Sequence, residues 1–124
     1  MKTNNKNLGN IGEKAAIDFL CKNNYHIIHT NFRAGKLGEI DIVARENEYI
    51  CFIEVKTRSS LSFGIPSESV TSRKQNVIRK VAAVYLSRNH ANESSVRFDI
   101  VEVYVKRKAG EVEITQINLI KNAF

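Results

Sequence analysis

The order of local patterns along this chain predicts an α/β domain: a mixed sheet with helices packed on it. Three features carry the prediction. Apolar residues recur at helical spacing near the N-terminus and again over residues 70–89. Between these segments lie three runs rich in Ile, Val, Phe and Tyr, each bounded by turn residues. Two more such runs follow the second helix. Patterns that switch period in this order build a layered α/β fold. At 124 residues the chain supplies one core and one domain, residues 1–124.

The polar first seven residues are expected to fray. From Leu8 to Asn23, Ile11, Ala15, Phe19 and Leu20 recur near helical spacing with Ala16 beside them, and Asn24 is the stop. Tyr25 to Arg33 reads as a strand centred on Ile27 and Ile28, and Ala34-Gly35-Lys36 as a turn. Leu37 to Arg45 is the second strand, Glu46-Asn47-Glu48 a tight polar turn, and Tyr49 to Arg58 the third strand. Three strands joined this closely form an antiparallel meander. Ser59 to Ser69, with Gly64 and Pro66, is a loop. Val70 to Asn89 is the longest helix, with Val77, Val81, Val84 and Tyr85 as its stripe. After the loop 90–95, Val96 to Val105 and Val112 to Leu119 are strands flanking a turn at Ala109-Gly110. The order is α-β-β-β-α-β-β.

Hydrophobic content of 43% and charged content of 26% are those of an ordinary globular protein. No apolar run reaches bilayer-spanning length, and the polar N-terminus lacks the apolar core of a secretory signal, so a cytoplasmic protein without a membrane partner is expected. Cys21 and Cys51 have neither disulfide-framework nor zinc spacing and are read as small buried hydrophobes. His26, His29 and His90 share no ligand spacing, and no Gly-rich phosphate loop or nucleophile triad is present. The net charge of +6 suits a polyanionic partner. Its distribution is more telling: Arg73, Lys74, Arg79, Lys80 and Arg88 crowd the second helix, which carries no acidic residue.

The chemistry concentrates in Gly38-Glu39-Ile40-Asp41 and Ile53-Glu54-Val55-Lys56. Both lie in runs apolar enough for central strands, where a charge is costly unless it pairs or binds metal. Residues two apart share a strand face, so Glu54 joins Lys56 and Glu39 joins Asp41. Placing the two strands side by side brings carboxylates and an ammonium to one point, the arrangement a magnesium-dependent phosphodiesterase needs. Asp41 and Glu54, with the Val55 carbonyl, are candidate ligands for a hard cation. Lys56 would orient the attacking water or offset charge developing on phosphorus. A purely structural ion pair of Lys56 with Glu54 or Asp41 stands as the alternative. Glu13 is a third candidate acid on the first helix, set against a capping box from Asn10. Glu39 reads as a further ligand or as a solvated strand-start residue. Gln75 has the reach to touch a scissile phosphate, set against a capping box from Ser72.

Asp41, then Glu54-Val55-Lys56 a hairpin later, with Glu13 on a preceding helix, resembles the PD-(D/E)xK nuclease superfamily, and the element order resembles its restriction-endonuclease-like fold. More closely, the chain is similar to the YraN family of bacterial proteins. That likeness rests on Gly12-Glu13-Lys14-Ala15-Ala16, Asn31-Phe32-Arg33, Gly38 to Val43, Phe52 to Arg58 and Arg97-Phe98-Asp99-Ile100-Val101, and runs from Leu8 to Leu119. The resemblance implies Asp41 and Glu54 as metal ligands, Glu13 as the helix acid found in archaeal Holliday-junction resolvases, and Lys56 as the catalytic lysine. Two departures stand out: Ile40 occupies the place of the superfamily's proline, and Arg79 that of the tyrosine which follows the glutamine in RecB-like nucleases. The implied activity is a Mg2+- or Mn2+-dependent endonuclease acting on DNA ahead of RNA, on branched or repair intermediates. Arg58, Arg73, Lys74, Arg79 and Lys80 would meet phosphates. A junction-cutting enzyme is expected to be a homodimer, because two strands must be cut. The last strand and the Ser59–Ser69 loop are the candidate dimer surfaces. The alternative is a nuclease-fold module that binds nucleic acid or recruits proteins without cleaving, whose salt-sensitive binding would survive loss of Asp41 or Glu54.

Overall fold

A computed structural model describes residues 5–59 and 70–124. The elements run α1 (Asn5–Lys22), β1 (His26–Ala34), β2 (Gly38–Glu46), β3 (Tyr49–Ser59), α2 (Ser72–Arg88), β4 (Ser95–Lys108) and β5 (Glu111–Ile120). The predicted order holds throughout. Residues 60–69 of the expected loop lie outside the described residues.

The five strands form one sheet in the order β1-β2-β3-β4-β5. The β1–β2, β2–β3 and β4–β5 pairs are antiparallel, whereas β3 and β4 run parallel. A parallel pair needs a crossover, and α2 falls within it. The sheet is therefore mixed, with one helix on each face. On the α2 face, Ile78, Val81, Ala82 and Tyr85 pack against Phe32, Ile40, Val43 and Phe52. On the α1 face, Ala16 and Leu20 pack against Ile42, Ala44, Cys51, Ile53, Val101 and Val103. With both faces covered, β2 and β3 read as continuous apolar runs rather than alternating ones.

Several boundaries differ from those expected. Helix α1 begins at Asn5, so residues 5–7 of the stretch expected to fray are helical, residues 1–4 lie outside the described residues, and Asn10 lies inside the helix, not at its cap. Its buried face runs through Gly12, Ala16 and Leu20, one residue on from the predicted stripe. Glycine at position 12 lets the helix lie directly on β3, because a Cβ there would run into Thr57 Oγ1 and Cβ. The helix stops as predicted at Asn24, which adopts the left-handed conformation (φ 67°) while Tyr25 N–H donates to Leu20 O at 3.0 Å. Helix α2 is capped by Thr71, whose hydroxyl accepts from Lys74 N–H at 3.2 Å. Ser72 is thus the first helical residue and not the cap. Cys51 is buried as expected, but Cys21 is exposed on α1. No helix among the described residues is long and apolar enough to cross a membrane.

Candidate active site

The β2–β3 hairpin sets the site. Its turn closes with Glu46 paired to Tyr49, and the ladder runs back to Ile42 paired with Ile53. The next position of that register holds Asp41 on β2 and Glu54 on β3. There the ladder ends, and Val55 N–H donates instead to Asp41 Oδ2 at 2.8 Å. The carboxylate thus supplies an acceptor just where the backbone pairing stops, which pins Asp41 against β3.

Both acids are poorly hydrated, and Glu54 keeps only 8% of its surface. Burial, and next the charge of Asp41, push the Glu54 carboxyl up to about 7, against the opposing pull of Lys74 and Lys56. Burial also raises Asp41, opposed by the Val55 N–H bond and by Lys74. The two carboxyls lie within hydrogen-bonding reach of one another. Neighbouring carboxyls in a dry place either share a proton or ionise together only beside an ammonium or a metal. Two ammonium groups stand near: Lys56 Nζ at 3.9 Å and Lys74 Nζ at 3.8 Å from Glu54 Oε1. Lys56 comes from β3, two residues along the same face; Lys74 comes from the first turn of α2.

Glu13 approaches from α1. Its Oε1 accepts from Asn31 Nδ2 at 2.8 Å. Burial raises its carboxyl, the Asn31 bond opposes this, and the charges of Asp41 and Glu39 add to the rise. Among the described residues, no group of three or more His, Cys, Asp and Glu side chains is placed to hold a metal. The carboxylate set is therefore a pair, Asp41 and Glu54, with Glu13 beside it. That donor set fits Mg2+ or Mn2+, hard cations content with one or two carboxylates plus water and phosphate oxygens. Glu39 faces Arg33 at 3.9 Å, at the edge of the group.

The remaining expected residues divide. Gln75 Nε2 donates to Val70 O at 2.8 Å, which ties the start of α2 to the segment before it. Arg58 forms a partly buried ion pair with Glu102 on β4, at 2.9 Å. Arg79 lies 4.9 Å from the ring centre of Phe98 and 5.4 Å from that of Phe124. Arg73 and Lys80 are exposed on α2.

A second charged group escaped the sequence reading. Asp99, fully buried, accepts from Tyr25 OH, Arg97 and Asn122 N–H, and Arg97 also donates to Glu46, which Lys121 holds from the other side. Burial alone would raise Glu46, but the bonds from Lys121 and Arg97 outweigh it and hold the carboxyl below its usual range. The network ties β2, β4, the start of β1 and the C-terminal tail together on the α1 face. The Arg97-Phe98-Asp99 run was its only trace in the sequence.

Comparison with known proteins shows the family. A family model described as "Uncharacterised protein family UPF0102" matches residues 12–103, a span that contains Glu13, Asp41, Glu54 and Lys56. The UPF0102 protein of Acetivibrio thermocellus is 55% identical over 123 residues, covering 99% of this chain and 95% of the relative. That of Caldicellulosiruptor saccharolyticus is 51% identical over 98% of this chain and 99% of its own length. That of Clostridioides difficile is 43% identical over the same shares, 98% and 99%.

Proposed function

This chain belongs to the uncharacterised protein family UPF0102, and we propose that it is a Mg2+- or Mn2+-dependent endonuclease that hydrolyses phosphodiester bonds of DNA. One observation carries the reading: Asp41, Glu54 and Lys56 converge where the β2–β3 ladder ends, two half-desolvated acids with an ammonium beside them. A stable fold does not need this arrangement, since like charges in a dry site oppose folding.

A bound Mg2+ or Mn2+ would polarise the phosphate and make water a better nucleophile at neutral pH. Asp41 and Glu54 would hold it, with Asp41 kept in place by the Val55 N–H. Lys56 orients the attacking water and offsets the negative charge that grows on the phosphate oxygens as the P–O bond to the leaving oxygen breaks. Lys74, from α2, reaches the same Glu54 oxygen, and its ammonium meets an adjacent phosphate. Arg73 and Lys80 extend that cationic face along α2 and contact the DNA backbone. Gln75 serves the site indirectly, by fixing the first turn of α2. Arg58 and Arg79 shape this face through Glu102 and through the aromatic rings, respectively. Branched or repair intermediates are the proposed substrates and a homodimer the proposed assembly, both supported by the likeness to junction resolvases. The reading places the protein in the cytoplasm, with the DNA it acts on.

The test is cleavage of labelled duplex, single strand, flap and four-way junction with Mg2+ or Mn2+. Metal-dependent cutting by the wild type that is lost in Lys56→Ala, but kept in a surface control such as Lys106→Ala, is the expected result. Binding without cutting by any form would replace the enzyme with a nucleic-acid-binding module.

A further inference from the structure

Asn31 stands at an unusual place. It lies in the middle of β1 with φ 54°, a left-handed conformation in a run of extended residues. Most side chains resist that conformation, and asparagine is among the few that accept it. The β1–β2 register brackets it: Thr30 pairs with Ile42 and Phe32 with Ile40. The position between them sets Asn31 against Asp41. Asn31, Asp41 and Glu54 therefore occupy one row across three strands, and the twist at Asn31 turns its amide toward α1, where Nδ2 meets Glu13 Oε1 at 2.8 Å.

We propose that Asn31 is a positioning residue of the cation site: its left-handed backbone and its amide hold the Glu13 carboxylate beside Asp41. The inference rests on the reading of Asp41 and Glu54 as a cation site and deepens it. Glu13 sits on a helix whose contact with the sheet is made by Gly12, Ala16 and Leu20, so helix packing alone does not direct its carboxylate. It feels the charges of both Asp41 and Glu39, which would drive it toward solvent. The Asn31 amide is the hydrogen-bond donor that opposes this. Because the bond is exposed, its own contribution to folding is small. Its effect is to choose one direction for a charge, and a carboxylate aimed at a cation site raises affinity without being a direct ligand.

The experiment is a titration of Mn2+ followed by the electron paramagnetic resonance signal of the free ion, on wild type, Asn31→Gly, Glu13→Gln, the double variant and Asp41→Asn. Glycine keeps the left-handed backbone and removes only the amide, and urea unfolding without metal checks that the fold is intact. Wild type should bind Mn2+, and Asp41→Asn should not. Asn31→Gly should bind about tenfold more weakly, the scale expected for a group that supports a metal ligand. Adding Asn31→Gly to Glu13→Gln should weaken binding no further, because the amide acts through Glu13. Asn31→Gly binding as tightly as wild type overturns the proposal and leaves the cation site standing. So does a full, additive loss in the double variant. Equal failure of wild type and Asp41→Asn to bind Mn2+ overturns the cation site itself, and this inference with it.

Discussion

Replacing Glu54 with glutamine is expected to stabilise the metal-free protein at alkaline pH. The carboxyl rises from 4.5 to about 7 on folding, driven first by burial and then by Asp41. A group whose folded pKa is raised favours the native state while protonated. That contribution is complete below pH 4.5 and disappears as pH climbs through about 7. A rise of roughly 2.5 units at about 1.36 kcal/mol each corresponds to about 3 kcal/mol of lost stability at high pH. Glutamine resembles the protonated acid in shape and charge, so it avoids that loss. It also offers an N–H to Asp41, while it gives up attraction to Lys56 and Lys74, whose opposing effect the raised pKa already includes. Urea unfolding in the presence of a chelator should show Glu54→Gln more stable than wild type by about 2–3 kcal/mol near pH 8.5, with the difference vanishing near pH 4. Mn2+ at high pH should then stabilise wild type and not the variant, since only a native state that binds the ion gains from it. A variant that is less stable than wild type at high pH, or an effect that does not change with pH, would refute the claim that this acid is held against folding.

Asp99→Asn should cost about 3 kcal/mol, because it removes one of the two carboxylates that pair with the half-buried Arg97, leaving only Glu46, and unsettles three donors at once; urea unfolding measures it. At Gly12 two effects compete. Alanine gains up to about 1 kcal/mol of helix propensity, but its Cβ would strike Thr57, a short branched side chain with little room to yield. Overpacking of this kind costs about 1–3 kcal/mol, so Gly12→Ala is expected to lower stability, and a rise in the melting midpoint would contradict the close α1–β3 approach. The two arginine and lysine neighbours on α2 should separate: Lys80→Ala should flatten the salt dependence of DNA binding by about one unit of slope with stability unchanged, whereas Arg79→Ala should lower stability by about 1 kcal/mol through the lost ring contacts.

How far the site could be read in advance follows from the turn. The expected turn Glu46-Asn47-Glu48 is one residue too long: Glu46 ends β2 and faces Tyr49, and counting back five positions from that pair sets Asp41 opposite Glu54. The period of two along β3 then places Lys56 beside Glu54. Local rules bring these two strands together because the hairpin is local, and miss their register by one residue. They fail where partners are distant. Arg58 looked like a phosphate contact, but the register of β3 on β4 brings it to Glu102. That register depends on how α2 crosses the sheet, which no short window contains. Asp99 meets Tyr25 from 74 residues away, so its burial was invisible in its own strand. The α1 stripe was placed one residue early because Gly12, uncounted as apolar, is what allows the closest approach. Asn31 was marked only by its motif, since a left-handed residue inside a strand leaves no trace in hydrophobic pattern.

The central claim is that Asp41 and Glu54 form a divalent cation site. Crystals grown or soaked with Mn2+ would test it most directly, through the anomalous scattering of the ion. The account predicts a single strong peak between the Asp41 and Glu54 carboxylates, on the side facing Lys56, which vanishes in crystals of Asp41→Asn. Glu54 still paired with Lys56 and Lys74, with no peak there at millimolar Mn2+, would contradict it.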